Sequence, residues 1–170
     1  TIEGSRPLLA EIQALTTYTS FGYPRRTANG VDFNRLLLVT AVLTQRLGLR
    51  LGNQDIMVNV TGGLKISEPA ADLGIALAIA SSFRDSIVDP GMVAIGEVGL
   101  SGELRAASQL DRRVAEAARL GFARCLVPKI GAEVSHPSKD IELLPVSTVR
   151  EAISSALLKP KRKEPPTQTH

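Results

Sequence analysis

The sequence has 170 residues, a formal net charge of +3 and a hydrophobic fraction of 44%, values typical of one globular domain. The hydrophobic fraction excludes wholesale disorder. A disulfide-rich secreted scaffold is also excluded, because Cys125 has no second cysteine to pair with. The longest apolar run, around residues 73–80, is far shorter than the roughly 20 residues that span a bilayer, and the sequence does not begin like a signal peptide. We therefore expect a cytoplasmic protein with no membrane partner.

The positive charge is concentrated near the C-terminus. Four basic residues and one acidic residue within 159–170 supply +3, so residues 1–158 balance 16 basic against 16 acidic groups. Within this body the charge alternates in blocks of +3 for residues 1–50, −5 for 51–104, +4 for 105–130 and −2 for 131–158. We predict a folded domain over 1–158 and a disordered basic tail over 159–170. The alternating blocks can give this neutral domain a basic face.

The first half of the chain alternates between strand and helix patterns. Its predicted elements are a strand over 8–16, a loop over 18–30, a helix over 33–47, a strand over 55–60 and a helix over 69–82. Asp32 and Gly48 are the expected N-cap and terminator of the first helix. Pro69 suits the first turn of the second helix.

The second half continues the alternation. Its predicted elements are strands over 92–96 and 104–106, a helix over 109–120 that Ser108 caps, strands over 124–128 and 141–145, and a helix over 148–157 that Ser147 caps. Strands and helices that alternate in this way predict an α/β (α+β) fold, with helices packed on one mixed sheet.

Several common site chemistries are absent from the sequence. There is no phosphate-binding Gly-x-x-x-x-Gly-Lys-Ser/Thr loop. Two histidines and one cysteine cannot build a Cys/His metal site, and His136 is expected on the surface. The carboxylate pairs Glu68/Asp72 and Glu97/Glu103 are more typical of surface or capping roles than of general acid–base catalysis. The sequence therefore predicts no cofactor and no metal in this segment.

One loop combines aromatic and basic residues. Tyr18, Phe21 and Tyr23 precede the adjacent Arg25 and Arg26. Proteins bind single-stranded nucleic acid by stacking bases on aromatic rings while cations follow the phosphates. Aromatic rings that cover a sheet edge, beside a solvated arginine pair, would produce the same pattern, so both interpretations remain open.

Six separated motifs carry a family resemblance. They are residues 3–7, 21–27, 30–35, 62–66, 68–72 and 96–103. Together they resemble the C-terminal domain of the RadA (Sms) family of bacterial DNA repair proteins, over residues 1 to about 157. That domain is similar to the proteolytic domain of Lon, which has the ribosomal protein S5 domain 2-like fold. The resemblance implies that a zinc-binding module and an ATPase core precede this segment in a longer protein, where ATP, magnesium and zinc would bind.

The resemblance also identifies two positions at which a Lon-type peptidase would need its catalytic groups. The nucleophilic serine of Lon lies in Asp-Gly-Pro-Ser-Ala-Gly, and the matching residues 67–72 place Ala70 there. The lysine of Lon follows Gly-Gly-Leu, and the matching residues 108–111 place Asp111 there. A methyl group cannot attack a carbonyl, and a carboxylate cannot replace a neutral lysine as its base. The resemblance therefore implies a peptidase fold without peptidase activity.

The family implies a homohexameric ring that binds single-stranded or branched DNA during branch migration, with the recombinase RecA as a partner of the full-length protein. The cations that we select for DNA contact are Arg25, Arg26, Lys65 and Arg105. Arg112 and Arg113 are expected at a subunit interface or in solvent. Two other interpretations stay open, namely a peptidase with an atypical nucleophile and a protein-interaction scaffold that does not touch DNA.

Overall fold

The computed structural model describes residues 1–20, 22–130 and 140–158. Its helices are α1 (Phe33–Leu47), α2 (Asp72–Arg84), α3 (Leu110–Arg119) and α4 (Val149–Ala156). Its strands are β1 (Ile2–Glu3), β2 (Arg6–Pro7), β3 (Ile12–Tyr18), β4 (Arg26–Asn29), β5 (Gln54–Val60), β6 (Met92–Ala94), β7 (Glu97–Val98), β8 (Leu104–Arg105), β9 (Arg124–Pro128) and β10 (Glu142–Val146). The predicted α/β class is confirmed.

The strands do not join into the single mixed sheet that the alternation predicts. One sheet has the order β3-β5-β4, with β3 antiparallel and β4 parallel to β5. A second sheet has the order β10-β9-β6 and is parallel throughout. The pairs β1-β2 and β7-β8 form separate antiparallel hairpins. Within the described residues, no strand of the first sheet pairs with a strand of the second.

The first helix follows its local signals from end to end. The Asp32 carboxylate accepts a hydrogen bond of 2.9 Å from the backbone N–H of Arg35, which makes it the N-cap. Gly48 closes the helix with φ of 72°, a left-handed conformation in which glycine is favoured. The helix 33–47 is therefore confirmed at both ends.

The second helix begins later than predicted. A 3₁₀ turn at Pro69–Ala71 precedes α2, which starts at Asp72. Small residues let α2 approach β3 closely, since a Cβ on Gly74 would lie 3.2 Å from the Ile12 side chain. The helix packs on the mixed sheet and on α1 and α4, where Leu36, Leu73 and Ile153 belong to one buried core.

A second, smaller core lies between α3 and the parallel sheet. Its buried members include Val114, Ala117, Val127 and Cys125. Burial raises the pKa of the Cys125 thiol to about 12. That thiol is a packing group rather than a nucleophile.

Three local predictions are wrong. Strand β4 lies within the predicted loop 18–30, because its polar residues carry no apolar alternation and form a strand only by pairing with β5. Gln109 occupies the N-cap position of α3 with φ of 55° and no side-chain cap, in place of Ser108. Thr148 caps α4 in place of Ser147, through a bond of 3.2 Å from the Glu151 N–H.

In the described ranges, none of the helices is long and apolar enough to cross a membrane.

Candidate functional site

Ala70 lies within the 3₁₀ turn that precedes α2. It is a buried residue, and its carbonyl accepts a hydrogen bond of 2.9 Å from the Gly96 N–H, just beyond β6. The Gly96 carbonyl in turn accepts a bond of 3.1 Å from the Leu73 N–H. These two bonds hold the start of α2 against the second sheet.

A cavity of about 580 Å³ opens beside Ala70. Its walls come from residues 7–12, α2, residues 88–95 and α3. The described residues that line it are mostly apolar and include no serine, cysteine, lysine or histidine. Its ionisable side chains are Glu11, Asp89, Arg113 and Glu116. Ala70, which the resemblance matches to the Lon nucleophile, therefore lies in a cavity whose described lining contains neither the serine nor the lysine of a Ser-Lys pair.

Asp111, the position that corresponds to the Lon base, is not among the residues that line this cavity. It is exposed in the first turn of α3. Arg113 lines the cavity instead, since it lies on the face of α3 that buries Leu110 and Val114. The expectation that Arg113 is solvated or at a subunit interface is wrong, because helical spacing places it among buried residues of its own domain.

Arg113 forms a two-pronged ion pair with Glu68. Its two terminal nitrogens donate to the two Glu68 oxygens at 2.7 and 2.6 Å, and its Nε donates to the Ser108 carbonyl at 2.8 Å. The Ile2 N–H also donates to Glu68, at 2.8 Å. Burial opposes the charge on Glu68, but the hydrogen bonds from Arg113 and the other donors outweigh it and lower the pKa to about 2. This pair ties α3 to the residues before α2.

The second carboxylate of the predicted pair has its own arginine. Asp72 is buried and accepts hydrogen bonds from the Arg35 side chain and, at 3.1 Å, from the Val98 N–H. Glu97 lies 4.0 Å from the same guanidinium. Burial raises the pKa of Asp72, and the Arg35 hydrogen bonds oppose that rise. Asp72 therefore joins α1, α2 and β7 as a structural group.

The two adjacent arginines have different surroundings. The Arg26 guanidinium donates to the backbone carbonyls of Leu51 at 2.9 Å, of Arg25 at 3.1 Å, and of Gln54. These bonds fasten β4 to the turn that follows α1. The Arg25 side chain is 75% exposed, with its Nε 3.9 Å from Asp55. Arg25 therefore has most of its donors open to solvent.

Asp55 holds both ends of the aromatic loop. It accepts hydrogen bonds from the Thr19 hydroxyl and, at 2.7 Å, from the Arg25 N–H. The bond from the Arg25 backbone and then the bond from Thr19 lower the pKa of Asp55. Between these two anchors Tyr23 is 90% exposed, and Tyr18 beside them is 69% exposed. The loop displays two aromatic rings and one arginine, while Phe21 lies outside the described residues.

Lys65 lies away from Arg25, at the opposite end of β4. The N–H of the neighbouring Ile66 donates to the Gly30 carbonyl at 2.7 Å, directly after that strand. A four-residue strand separates the two ends by roughly 13 Å. Lys65 is exposed and has no ion pair with a described residue.

Arg105 belongs to a third location, on the β7-β8 hairpin. Its guanidinium donates to Glu103 at 2.7 and 3.2 Å. Arg46 of α1 contacts the same hairpin, since its Nε donates to the Leu100 carbonyl at 3.1 Å. The Arg150 side chain of α4 donates to the Arg46 carbonyl. Sequence reasoning missed Arg46 and Arg150, because only the fold brings α1 and α4 to this hairpin.

Two further predictions concern parts of the chain without a structural description. His136 and the tail 159–170 lie outside the described residues. Among the residues that are described, no group of three or more His, Cys, Asp or Glu side chains could hold a metal ion.

Comparison with known proteins relates the chain to one family profile and to several named proteins. The profile described as "Subunit ChlI of Mg-chelatase" matches residues 29–130. The DNA repair protein RadA of Halalkalibacterium halodurans is 52% identical over 156 residues, that of Bacillus subtilis 51% over 156, and that of Synechocystis sp. 50% over 155. These alignments cover 91 to 92% of this chain but 30 to 34% of each relative.

The chain thus spans about a third of the length of the curated relatives that it matches. These matches confirm the predicted relationship to RadA proteins, and the profile match is consistent with the predicted Lon-like, ribosomal protein S5 domain 2-like fold. The chain belongs to the family described as subunit ChlI of Mg-chelatase, and nearly all of it is homologous to about one third of the DNA repair proteins named RadA.

Proposed function

We propose that residues 1–158 form a non-catalytic, Lon-like scaffold domain of a RadA-type DNA repair protein, which supports a homohexameric ring and contacts DNA during branch migration. The observation that carries the loss of catalysis is the setting of Ala70. It occupies the nucleophile position, and the described lining of its cavity contains no serine, cysteine, lysine or histidine.

The buried ion pair supports the same proposal. In a Ser-Lys peptidase a neutral lysine beside the serine takes its proton. Here the buried cation nearest in sequence to the base position is Arg113, whose guanidinium stays protonated and is engaged by Glu68. An arginine in this pair stabilises the fold and cannot serve as a general base.

A Ser-dependent Lon-like peptidase is the alternative, and covalent labelling separates the two. We expect a fluorophosphonate probe to leave the folded chain unlabelled at concentrations that label a serine peptidase run in parallel. Stoichiometric labelling of one serine, confirmed by peptide mapping, would restore the peptidase assignment.

For DNA contact we propose Arg25, Lys65 and Arg105, with Arg26 in support. Arg25 and Lys65 are exposed and mark the two ends of β4, whereas Arg26 donates to backbone carbonyls and Arg105 is shared with Glu103. Cations at such positions neutralise phosphates and release counterions, so each steepens the salt dependence of binding. A ring would repeat each cation six times, which lets modest patches suffice.

A salt titration with single-stranded DNA tests this assignment. Arg25→Ala and Lys65→Ala should each weaken binding and flatten the plot of log affinity against log salt, by about 0.7 for each single-strand phosphate that the variant no longer neutralises. Arg119→Ala is the matched control, because Arg119 is comparably exposed but paired with Glu116 on α3. Unchanged slopes for both test variants would remove these residues from the interface and favour the scaffold that does not touch DNA.

The ring and the remaining partners complete the proposal. Light scattering of the chain should give a mass six times that of the monomer, and a monomer at every concentration would mean that this domain alone does not close the ring. The full-length protein would work in the cytoplasm on single-stranded or branched DNA with the recombinase RecA. ATP, magnesium and zinc would bind to parts of that protein outside this chain.

A further inference from the structure

Strand β6 has an open edge that faces the cavity. The Arg124 N–H donates to the Gly91 carbonyl at 3.1 Å, and the Ile95 N–H donates to the Leu126 carbonyl at 3.0 Å. Residues 91, 93 and 95 therefore direct their backbone groups toward β9, and the residues between them direct theirs to the other side. On that side the N–H and carbonyl of Ala94 bond to no described residue.

The residues on either side of Ala94 are hydrogen-bonded within the domain, so the open edge is one residue long. On one side the Met92 N–H donates to the Asp89 carbonyl at 3.1 Å, and on the other the Gly96 N–H donates to the Ala70 carbonyl at 2.9 Å. Between these closures Ala94 lines the cavity of about 580 Å³. Ala94 is partly buried, so its N–H and carbonyl remain available to pair with matching groups of a ligand that enters the cavity.

A second backbone segment without pairing lines the same cavity. Leu9 and Ala10 lie between the β1-β2 hairpin and β3, and neither exchanges a backbone hydrogen bond with a described residue. The apolar side chains around the space include Ile66, Leu77, Met92 and Phe122. The cavity thus offers, on two walls, backbone groups that bond to no described residue, with apolar side chains between them.

We propose that this cavity binds an extended apolar peptide segment of a partner protein, which adds as a strand to the edge of β6 at Ala94. A peptide fits because one of its residues supplies both a carbonyl and an N–H to pair with Ala94 while its neighbours supply apolar side chains, a combination that neither a lipid chain nor a small apolar molecule provides. The volume lies within the range of ligand sites that bury a few side chains. This role is independent of DNA binding.

The charge of Glu11 predicts which residue type should flank the apolar segment of the peptide. Asp89, Arg113 and Glu116 line the cavity but are paired with Arg124, Glu68 and Arg119. Glu11 is exposed and has no ion pair with a described residue, and its side chain accepts a hydrogen bond of 2.9 Å from the Gln13 amide. A lysine or arginine next to the apolar segment would complement Glu11.

The binding test uses defined peptides and fluorescence anisotropy with the full chain. The probe is a labelled seven-residue peptide that begins with lysine and continues with alternating leucine and alanine. We expect it to bind, and we expect methylation of alternate backbone nitrogens to weaken binding at least tenfold, because it removes the N–H that pairs with the Ala94 carbonyl. No binding at millimolar concentration, or equal binding of the methylated peptide, would overturn the proposal.

Three variants locate the site. Leu9→Glu should weaken binding at least tenfold, while Leu15→Glu, at a comparably exposed leucine outside the cavity, should not. Ala94→Pro removes the outward N–H without touching the ladder to β9, so it should weaken binding with the fold retained. Glu11→Gln should weaken the lysine peptide and leave its glutamine counterpart unaffected. Equal effects of Leu9→Glu and Leu15→Glu would place binding elsewhere.

Discussion

The guanidinium of Arg113 and the carboxylate of Glu68 meet in two parallel hydrogen bonds of 2.7 and 2.6 Å, across 45 positions of sequence. The Arg113 side chain is almost fully buried, so its charge depends on this partner. The pair connects α3 to the turn that carries Ala70, at the wall of the cavity.

Removal of one partner should destabilise the domain strongly. Among the described residues, Arg113→Ala leaves the partly buried Glu68 carboxylate with only the Ile2 N–H and the N-terminal amine beside it, and we expect a loss of about 3 kcal/mol in the free energy of unfolding. Urea denaturation at pH 7 measures it, with Arg112→Ala as the exposed control. A loss below about 0.5 kcal/mol, the usual effect of a surface substitution, would contradict the structural role.

The same pair predicts a pH dependence. The pKa of Glu68 is lowered from 4.5 to about 2 in the folded protein, so its contribution to stability is fully present above pH 4.5 and is lost as the pH falls toward 2. We expect the stability difference between the original chain and Glu68→Gln to shrink over this window. A difference that stays constant from pH 6 to pH 3 would show that the Glu68 charge makes no contribution.

Substitutions of Arg26 and Arg25 should differ in their effect on the free energy of unfolding. Arg26→Ala removes the donors that satisfy the Leu51 and Gln54 carbonyls, and we expect it to lower the free energy of unfolding by about 1–2 kcal/mol. Arg25→Ala should change stability by less than about 0.5 kcal/mol, because that side chain is exposed. Thermal or urea unfolding of the two variants decides the comparison, and equal losses would contradict it.

Asp55→Asn should strengthen DNA binding. Both hydrogen bonds that hold the aromatic loop end on Oδ1, an atom that asparagine retains, while the negative charge beside Arg25 disappears. We therefore expect a tighter complex with single-stranded DNA and a steeper salt dependence. Asp85→Asn, the same charge change at an exposed helix end, is the control. Weaker binding by Asp55→Asn with an intact fold would argue against Arg25 as a phosphate-binding residue.

Cys125 should resist alkylation while the domain is folded. Burial raises its pKa to about 12, so almost no thiolate forms at pH 8. We expect iodoacetamide to modify it only after unfolding, at a rate that rises with urea. Rapid modification in buffer, detected by mass spectrometry, would show that the second core opens readily.

Local features of the sequence were sufficient to predict α1. The cap at Asp32, the apolar spacing of the helix and the left-handed Gly48 all act within a few residues, so they can be recognised without knowing the fold. The concentration of basic charge near the C-terminus also follows directly from the sequence, whereas the match of Ala70 to the Lon nucleophile rests on the family resemblance and stays a prediction.

The tertiary structure decided which charged groups have partners. Adjacent arginines look alike in the sequence, yet Arg26 is bound to carbonyls near the end of α1 while Arg25 projects into solvent. Strand β4 forms only because β5 lies beside it, and the open edge at Ala94 exists because no other strand lies there in the described residues. Such pairings join residues tens of positions apart, and their energies depend on burial and distance. The sequence alone determined the approximate positions of the four described helices and both ends of α1, because these depend on short-range interactions, while the caps of α3 and α4, the ion pairs and the cavity required the packed chain.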